Sequence, residues 1–543
     1  TDTEPRAEKE SVMLGAMQDF ELRVPRLIEH AEREYGDREI ISRWADGSET
    51  RTNWAGIARD SRKLAQALER MGIRPGDRVA TMAMNHSRHL VAWHGTIGMG
   101  GVIHTINPRL FEDQLAFIGN HAEDRVLMYD RMFQPIIDKM KPQWKTIEHY
   151  IVFDGDGADS FEAVIGAEDG NYRWVEGDER EPCMLCYTSG TTGNPKGVLY
   201  THRSSVIHAM AEIQPAVFDL STQSVVLPVV PMFHAVGWGL PFAAPMVGVK
   251  LVMSAINEGK VLCGLMNREK VTHTAGVPTV WFAMFQHMDE TGEVPQHLKV
   301  VTIGGSAAPR AMIERIMKMG VRVNHAWGMT ETSPIGTMGA PSPDWDALDF
   351  DARVDKMVFQ GRAPFGVELR TVDDDGNLLP RDGESSGKLQ IRGPWIIKQY
   401  FQDAGGPCLT PDGWFDTGDV AVLHPDGIMQ ITDRAKDVIK SGGEWISSVE
   451  LENAAVGCAG VAEAAAIGIH HPKWEERPLL LIVRKPGSEV TADQIQQHLA
   501  RHVAKWWLPD EIHFVEALPH TATGKLLKTA LRDQYKGFQF AAA

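Results

Sequence analysis

Cysteine is scarce in this chain, with five residues in 543. So few, so scattered, they exclude a disulfide-stapled secreted scaffold and point to a reduced, intracellular protein. Cys183 and Cys186 form one C-x-x-C, but no second Cys/His pair at ligand spacing follows it. They sit in the apolar run Met184-Leu185-Cys186-Tyr187, where free cysteine packs as a small hydrophobe in a buried strand. Positive charge is also short: the net charge of −17 argues against a nucleic-acid partner, which needs a basic surface. No uninterrupted run of about 20 apolar residues exists. The nearest candidate, Val225 to Met253, is broken by Pro228, Pro231, Pro241 and Pro245 and carries His234 and Lys250. The segment Thr1 to Glu10 is charged and lacks the apolar centre of a signal peptide. A cytoplasmic protein with no integral membrane segment is the expectation. Internal repeats and low-complexity tracts are absent too.

What is present is an ordinary globular composition, 43% hydrophobic and 23% charged, in a chain too long for one core. From Arg23 to Met71 the pattern is mostly helical, and Gly72 caps it. Short apolar runs at Val79 to Ala83, Val102 to His104, Val126 to Tyr129 and Ile151 to Phe153 then alternate with helical patterns such as His89 to Met99. Such alternation predicts an α/β domain with a largely parallel sheet. After about Lys356 turn signals crowd together, as in Asp373-Asp374-Asp375-Gly376, and short strands at Lys388 to Ile391 and Ile428 to Ile431 read as a β-rich subdomain. Past Asp433-Arg434 a compact αβ pattern returns. The expectation is therefore an α/β fold in two parts. A large domain over 1–432 contains parallel α/β subdomains and a β-rich one, and a small α+β domain covers 433–543.

The most informative string is Tyr187-Thr188-Ser189-Gly190-Thr191-Thr192-Gly193-Asn194-Pro195-Lys196-Gly197. Its glycines allow close backbone approach to an anion, and its hydroxyls and lysine supply donors for phosphate oxygens. Apolar runs on both sides make it the tip of a strand hairpin. A Walker-type loop is excluded, because Pro195 occupies the position that motif needs for glycine.

The string resembles the signature of the acyl-adenylate-forming family, which includes acyl-CoA synthetases, luciferases and peptide-synthetase adenylation domains. Further segments from about Arg23 to Lys528 resemble that family in order. They are Pro231-Met232-Phe233-His234, Gly304-Gly305-Ser306-Ala307, Trp327-Gly328-Met329-Thr330-Glu331, Asp416-Thr417-Gly418-Asp419, Asp433-Arg434-Ala435-Lys436-Asp437 and Pro519-His520-Thr521-Ala522-Thr523-Gly524-Lys525. The chain looks nearest to bacterial medium- and long-chain fatty acyl-CoA synthetases and methylmercaptopropionate-CoA ligases.

The resemblance implies an acid–thiol ligase using ATP, Mg²⁺ and coenzyme A, with a small carboxylic acid as its other substrate. By it, Thr188 to Gly193 and Lys196 hold phosphates, and Gly305, Ser306, Ala326, Trp327 and Gly328 surround adenine. Tryptophan replaces the tyrosine more usual at position 327. Asp419 and Arg434 take the ribose, and Glu331 binds the metal beside Thr330. Lys525 bridges carboxylate and α-phosphate during adenylation, and Asp433 is the hinge on which the C-terminal domain turns. That turn brings Lys440, Gly442, Gly443 and Trp445 to coenzyme A. Each of these residues standing alone would read as a surface charge, a turn or a core aromatic; the frame around it changes the reading.

His234 marks the acyl entrance, and Val236, Gly237, Trp238, Gly304 and Gly305 are expected around the acid. Amino-acid adenylation domains commonly place an aspartate in this region; here there is no carboxylate, so a neutral, apolar tail is favoured. Medium-chain fatty acids fit best, with a short thioether acid or an arylpropenoic acid as alternatives. A luciferase-like oxygenase would share every ATP motif, whereas a non-enzymatic nucleotide-binding protein should lack Glu331 or Lys525. A homodimer is compatible with all of this.

Overall fold

The computed structural model describes residues 15–188, 194–442, 444–520 and 526–540. Two large, mostly parallel sheets form the body. One has six strands, in the spatial order His149–Val152, Asp124–Tyr129, Arg78–Met82, Val102–Thr105, Pro182–Tyr187 and Gly197–Thr201. Only its last pair is antiparallel. The other has eight strands, from Ile335–Met338 at one edge to the hairpin Glu39–Arg43/Glu49–Asn53 at the opposite edge. Its six inner strands run parallel. Continuous apolar runs such as Val79 to Met82 are buried because parallel strands are covered on both faces. Helices Trp54–Arg70, Ser87–Gly98 and Leu240–Met246 share one apolar core that includes Leu64, Trp93 and Phe242.

One element departs from the sequence expectation. The stretch read as mostly helical is two helices, Pro25–Tyr35 and Trp54–Arg70, separated by the edge hairpin. Ile40 and Ile41 pair in parallel with Leu251 and Val252 far along the chain. That tertiary pairing, with the Asp46-Gly47 turn, overrides the flanking helical periodicity. Gly72, at φ +85°, does terminate the second helix as expected.

The β-rich part is a four-stranded antiparallel sheet of Glu368–Val372, Ser386–Arg392, Phe415–Leu423 and Met429–Arg434. A five-stranded sheet follows, centred on the long pair Val461–His471/Glu475–Arg484, with helices Ser448–Val456, Ala492–Leu499 and Lys528–Gln534. Its core, including Leu451, Leu480 and Ile482, is separate from that of the large sheets. Thus the chain has a mixed α/β fold with a small C-terminal domain. Among the described residues, no helix is long and apolar enough to cross a membrane.

Candidate active site

The carboxyl ends of parallel strands converge on a cavity of about 720 Å³. Strand Val300–Ile303 delivers Gly304 and Gly305, strand His273–Gly276 leads to Pro278 and Thr279, and strand Arg322–Gly328 delivers Trp327. Ligands of open α/β sheets bind in crevices of this type, because side chains from successive strand ends meet there. The four-stranded sheet and the C-terminal domain supply the opposite wall, through Asp419, Arg434, Glu452 and Lys528.

On one side lies an aromatic–acid–cation row. The indole Nε1 of Trp327 donates to Oδ2 of Asp419 at 2.9 Å, and Arg434 Nε meets the other oxygen, Oδ1, at 2.8 Å. Asp419 is buried on strand Phe415–Leu423, and Arg434 stands directly across the ladder from it. Two charge-assisted bonds of this kind fix the carboxylate plane.

Next to it is a cluster of hard oxygen donors. Thr188 and Lys196 close the neck of the hairpin: the Thr188 amide donates to the Lys196 carbonyl at 2.9 Å and the Lys196 amide to Thr188 Oγ1 at 3.1 Å. The expected phosphate-holding residues Ser189, Gly190, Thr191, Thr192 and Gly193 lie outside the described residues. Lys196 Nζ stands 4.7 Å from the centre of the Tyr400 ring, whose hydroxyl donates to Glu331 Oε1 at 2.8 Å. Tyr200 donates to the Thr330 carbonyl at 2.7 Å. Burial, and then the charge of Glu331, pushes the Tyr400 hydroxyl pKa up, so Tyr400 stays a donor. Thr330 and Glu331, both buried, face the same cavity. A carboxylate among oxygen donors beside a lysine fits a hard divalent cation carrying phosphates.

The third part is an apolar slot. After His234 the chain makes a left-handed turn, with φ of 43°, 59° and 53° at Ala235, Val236 and Trp238. Outside glycine that conformation costs about 1–2 kcal/mol per residue. The turn presents His234, Ala235 and Trp238 to the cavity. Val236 and Gly237, expected around the acid, do not line it; Gly237 faces Met232 and Pro241 instead. A helical alternation would place different side chains inward, and only the handedness of the turn decides which. Trp238 lies over Gly304, where an added Cβ would come within 3.1 Å of the indole. Phe218, Pro278 and Phe282 complete the walls. Behind Gly304 to Ala307, His325 holds the loop: its Nε2 accepts from the Ala308 amide at 3.2 Å and its Nδ1 donates to the Val358 carbonyl at 2.8 Å. Burial lowers the His325 pKa to about 4, consistent with this neutral, accepting ring.

At the junction with the C-terminal domain, Asp433 is buried and Oδ2 accepts from both the amide and the hydroxyl of Ser448, each at 2.6 Å. Lys528 bonds the same hydroxyl at 2.5 Å and pairs with Glu452 at 2.7 Å. Lys440 is exposed, and its amide donates to Glu476 Oε2 at 3.0 Å. Gly442, at φ +64°, donates to the Trp474 carbonyl at 2.8 Å. Lys525 and Gly443 lie outside the described residues. Trp445 is in strand Glu444–Ile446. Sequence reading did not find Tyr400, Tyr200, Phe282 or Lys528. None belongs to a short motif, although Tyr200 lies three residues after the Tyr187–Gly197 string and Lys528 three after Lys525.

A model described as "AMP-binding enzyme" matches residues 28–401, and one described as its C-terminal domain matches 450–525. The chain is 45% identical over 535 residues to a 3-methylmercaptopropionyl-CoA ligase of Ruegeria lacuscaerulensis, covering 96% of this chain and 99% of that protein. It is 46% identical over 534 residues to a medium-chain-fatty-acid–CoA ligase of Ectopseudomonas oleovorans, covering 96% and 98%. Among solved structures, an anthranilate CoA ligase in complex with anthranoyl-AMP superposes with a TM-score of 0.84 at 24% identity, over 94% of this chain and 97% of the other. That last likeness concerns the fold. The chain belongs to the AMP-binding enzyme family and is an acyl-CoA ligase, using ATP, Mg²⁺ and coenzyme A.

Proposed function

We propose that this AMP-binding enzyme acts on medium-chain fatty acids. The supporting observation is the slot itself. Phe218, Pro278, Phe282, Ala235 and Trp238 carry no charge, and the slot opens onto the Thr330–Glu331 donors. An alkyl tail gains about 0.8 kcal/mol per buried methylene there, while an ammonium or second carboxylate would find no partner on those walls. A second reading, a short thioether acid, is favoured by the bulk of Trp238 lying over Gly304 and by the name of the Ruegeria relative. A panel of straight-chain, thioether and arylpropenoic acids in a pyrophosphate-release assay decides between them. The highest kcat/KM with octanoate supports the first, and with 3-methylmercaptopropionate the second.

Adenylation joins two anions, so orientation and charge compensation dominate the barrier. In the proposed arrangement Trp327 offers its face to adenine, Asp419 and Arg434 receive the ribose, and Thr188, Lys196 and Thr330 hold phosphate oxygens. Glu331, oriented by Tyr400, would hold Mg²⁺, which supplies charge neutralisation at the phosphates. His234 positions the carboxylate at the slot entrance. Lys525 then draws carboxylate and α-phosphate together as a mobile point charge. The carboxylate oxygen bonds to the α-phosphorus as pyrophosphate leaves.

In the second step the thiol gives its proton to solvent, its sulfur bonds to the acyl carbon and AMP departs with that oxygen. We divide the chain at Asp433 for this step, into 1–432 and 433–543, with the smaller part turning to bring Lys440, Gly442, Gly443 and Trp445 towards coenzyme A. A cytoplasmic setting belongs to the same reading, supported by five unpaired cysteines, four of them buried. A homodimer is compatible with it and would be read by sedimentation.

A further inference from the structure

We propose that Cys263, His287 and Glu293 form a binding site for one zinc-class divalent ion, outside the catalytic cavity. Their ligand atoms all lie within 4.8 Å of one another, and none of the three lines the cavity.

Two helices and a turn bring them together. Helix Gly259–Arg268 lies against helix Pro278–Thr291 so closely that a Cβ at Gly259 would come within 2.4 Å of the Ala283 carbonyl and 3.1 Å of His287 Cβ. Cys263 faces that contact. Gly292 ends the second helix at φ +73°, its amide bonded to the Met288 carbonyl at 2.9 Å. Thr291 Oγ1 donates to the His287 carbonyl at 2.7 Å and accepts from the Glu293 amide at 3.1 Å. The chain thereby folds back and sets Glu293 Oε2 3.1 Å from His287 Nε2.

The carboxylate is also aimed from its other side. Asn267, one turn after Cys263, donates to Glu293 Oε1 at 3.3 Å and to the Val294 carbonyl at 3.1 Å, while its own oxygen accepts from the Gln296 amide at 2.9 Å. Partners that orient first ligands in this way are typical of metal centres. Cys263 is buried and the His287 side chain nearly so, but Glu293 is 43% exposed. One side thus stays open for water as a fourth ligand.

A thiolate, an imidazole and a carboxylate suit Zn²⁺ and its neighbours rather than Mg²⁺, which prefers oxygen alone. The charges also balance. One thiolate and one carboxylate neutralise a divalent ion, which suits a half-buried place. Without metal the Cys263 thiol donates to the Glu293 carbonyl at 3.8 Å. Binding therefore breaks the Cys263 S–H bond, forms the sulfur–metal bond and releases the proton to solvent, with no change of oxidation state. Lys260 is the nearby cation that also acts on Glu293 and opposes binding modestly.

Cobalt titration of the chelator-treated full-length enzyme tests this, because a thiolate ligand gives Co²⁺ a near-ultraviolet charge-transfer band. One Co²⁺ per chain with that band, displaced by Zn²⁺ and accompanied by a rise in melting temperature, is expected. Cys263→Ser should abolish the band and leave acyl-CoA formation unchanged. Asn267→Ala should weaken Co²⁺ binding about 10–100-fold. Cys408→Ser should leave the band intact; this matters because the Cys408 thiol feels the Glu331 charge beside the cavity. If Cys263→Ser does not fold, Glu293→Gln, at a half-exposed position, serves instead and should weaken binding at least about tenfold. A band that survives Cys263→Ser, disappears in Cys408→Ser or keeps wild-type affinity in Glu293→Gln overturns the assignment, as does the absence of any band.

Discussion

Trp327 and Asp419 belong to different sheets, and the 2.9 Å bond from the indole to the carboxylate ties the two across the cavity. A tryptophan therefore does more at this position than present a π face. Its N–H aims the acid that Arg434 holds from the other oxygen.

Replacing Trp327 with phenylalanine keeps the ring and removes the donor. Loss of one bond to a charged group should raise the KM for ATP about three- to tenfold while kcat changes less than about twofold, the pattern of lost uniform binding. Steady-state kinetics at saturating acid read it. Equal losses in kcat would mean that the bond acts in the chemical step.

Glu331 and Tyr400 form the second pair. Glu331→Gln should lower pyrophosphate release about 10²–10³-fold, and Tyr400→Phe, which only loosens the carboxylate, about three- to tenfold. The Mg²⁺ concentration for half-maximal rate should rise in both variants. An unchanged Mg²⁺ dependence in Glu331→Gln would remove that residue from the metal site.

Lys525→Ala should abolish acyl-adenylate formation, yet still convert supplied acyl-adenylate to the thioester. Quenched-flow measurement of each half-reaction separates the two. Equal loss in both would refute the turning C-terminal domain.

Trp238 lies over Gly304 and lines the slot. Trp238→Ala should therefore shift the kcat/KM ratio of dodecanoate to octanoate upward by at least about tenfold, since each methylene in a hydrophobic pocket is worth about 1–3 kcal/mol. The ratio is insensitive to the fraction of active protein. A ratio that does not move places the end of the slot elsewhere.

Acid should destabilise the fold through its buried imidazoles. The His325 pKa falls from 6.5 to about 4 on burial. Between those values the unfolded chain binds the proton and the folded one does not, so stability declines as pH falls from about 6.5. For His325 alone the loss between pH 7 and pH 5 is about 2 kcal/mol. Urea unfolding of wild type and His325→Gln at both pH values checks it: the variant should show the smaller difference.

Much of this was legible in the sequence because the chemistry is carried by short contiguous strings. The hairpin neck at Thr188 and Lys196, the Thr330–Glu331 pair and Asp419 stand in strings that resemble those of the acyl-adenylate-forming family. Their parallel sheets could be inferred from strand–helix alternation. What escaped depends on contacts between distant segments. The Glu39–Arg43 strand pairs with Lys250–Ser254, Tyr400 reaches Glu331 from a segment without a motif, and Lys528 meets Ser448 across the C-terminal domain. The handedness of the turn after His234 escaped too. Only backbone angles reveal that Ala235 and Trp238 face the slot while Val236 and Gly237 do not.

In adenylation of this kind the acid attacks the α-phosphorus and its oxygen leaves with AMP. Octanoate labelled with heavy oxygen in both carboxyl positions, turned over with ATP, Mg²⁺ and coenzyme A, tests it by mass spectrometry. One labelled oxygen in AMP, none in pyrophosphate, and thiol consumed in equal amount are expected. Unlabelled AMP, or label in orthophosphate released together with ADP, would contradict it.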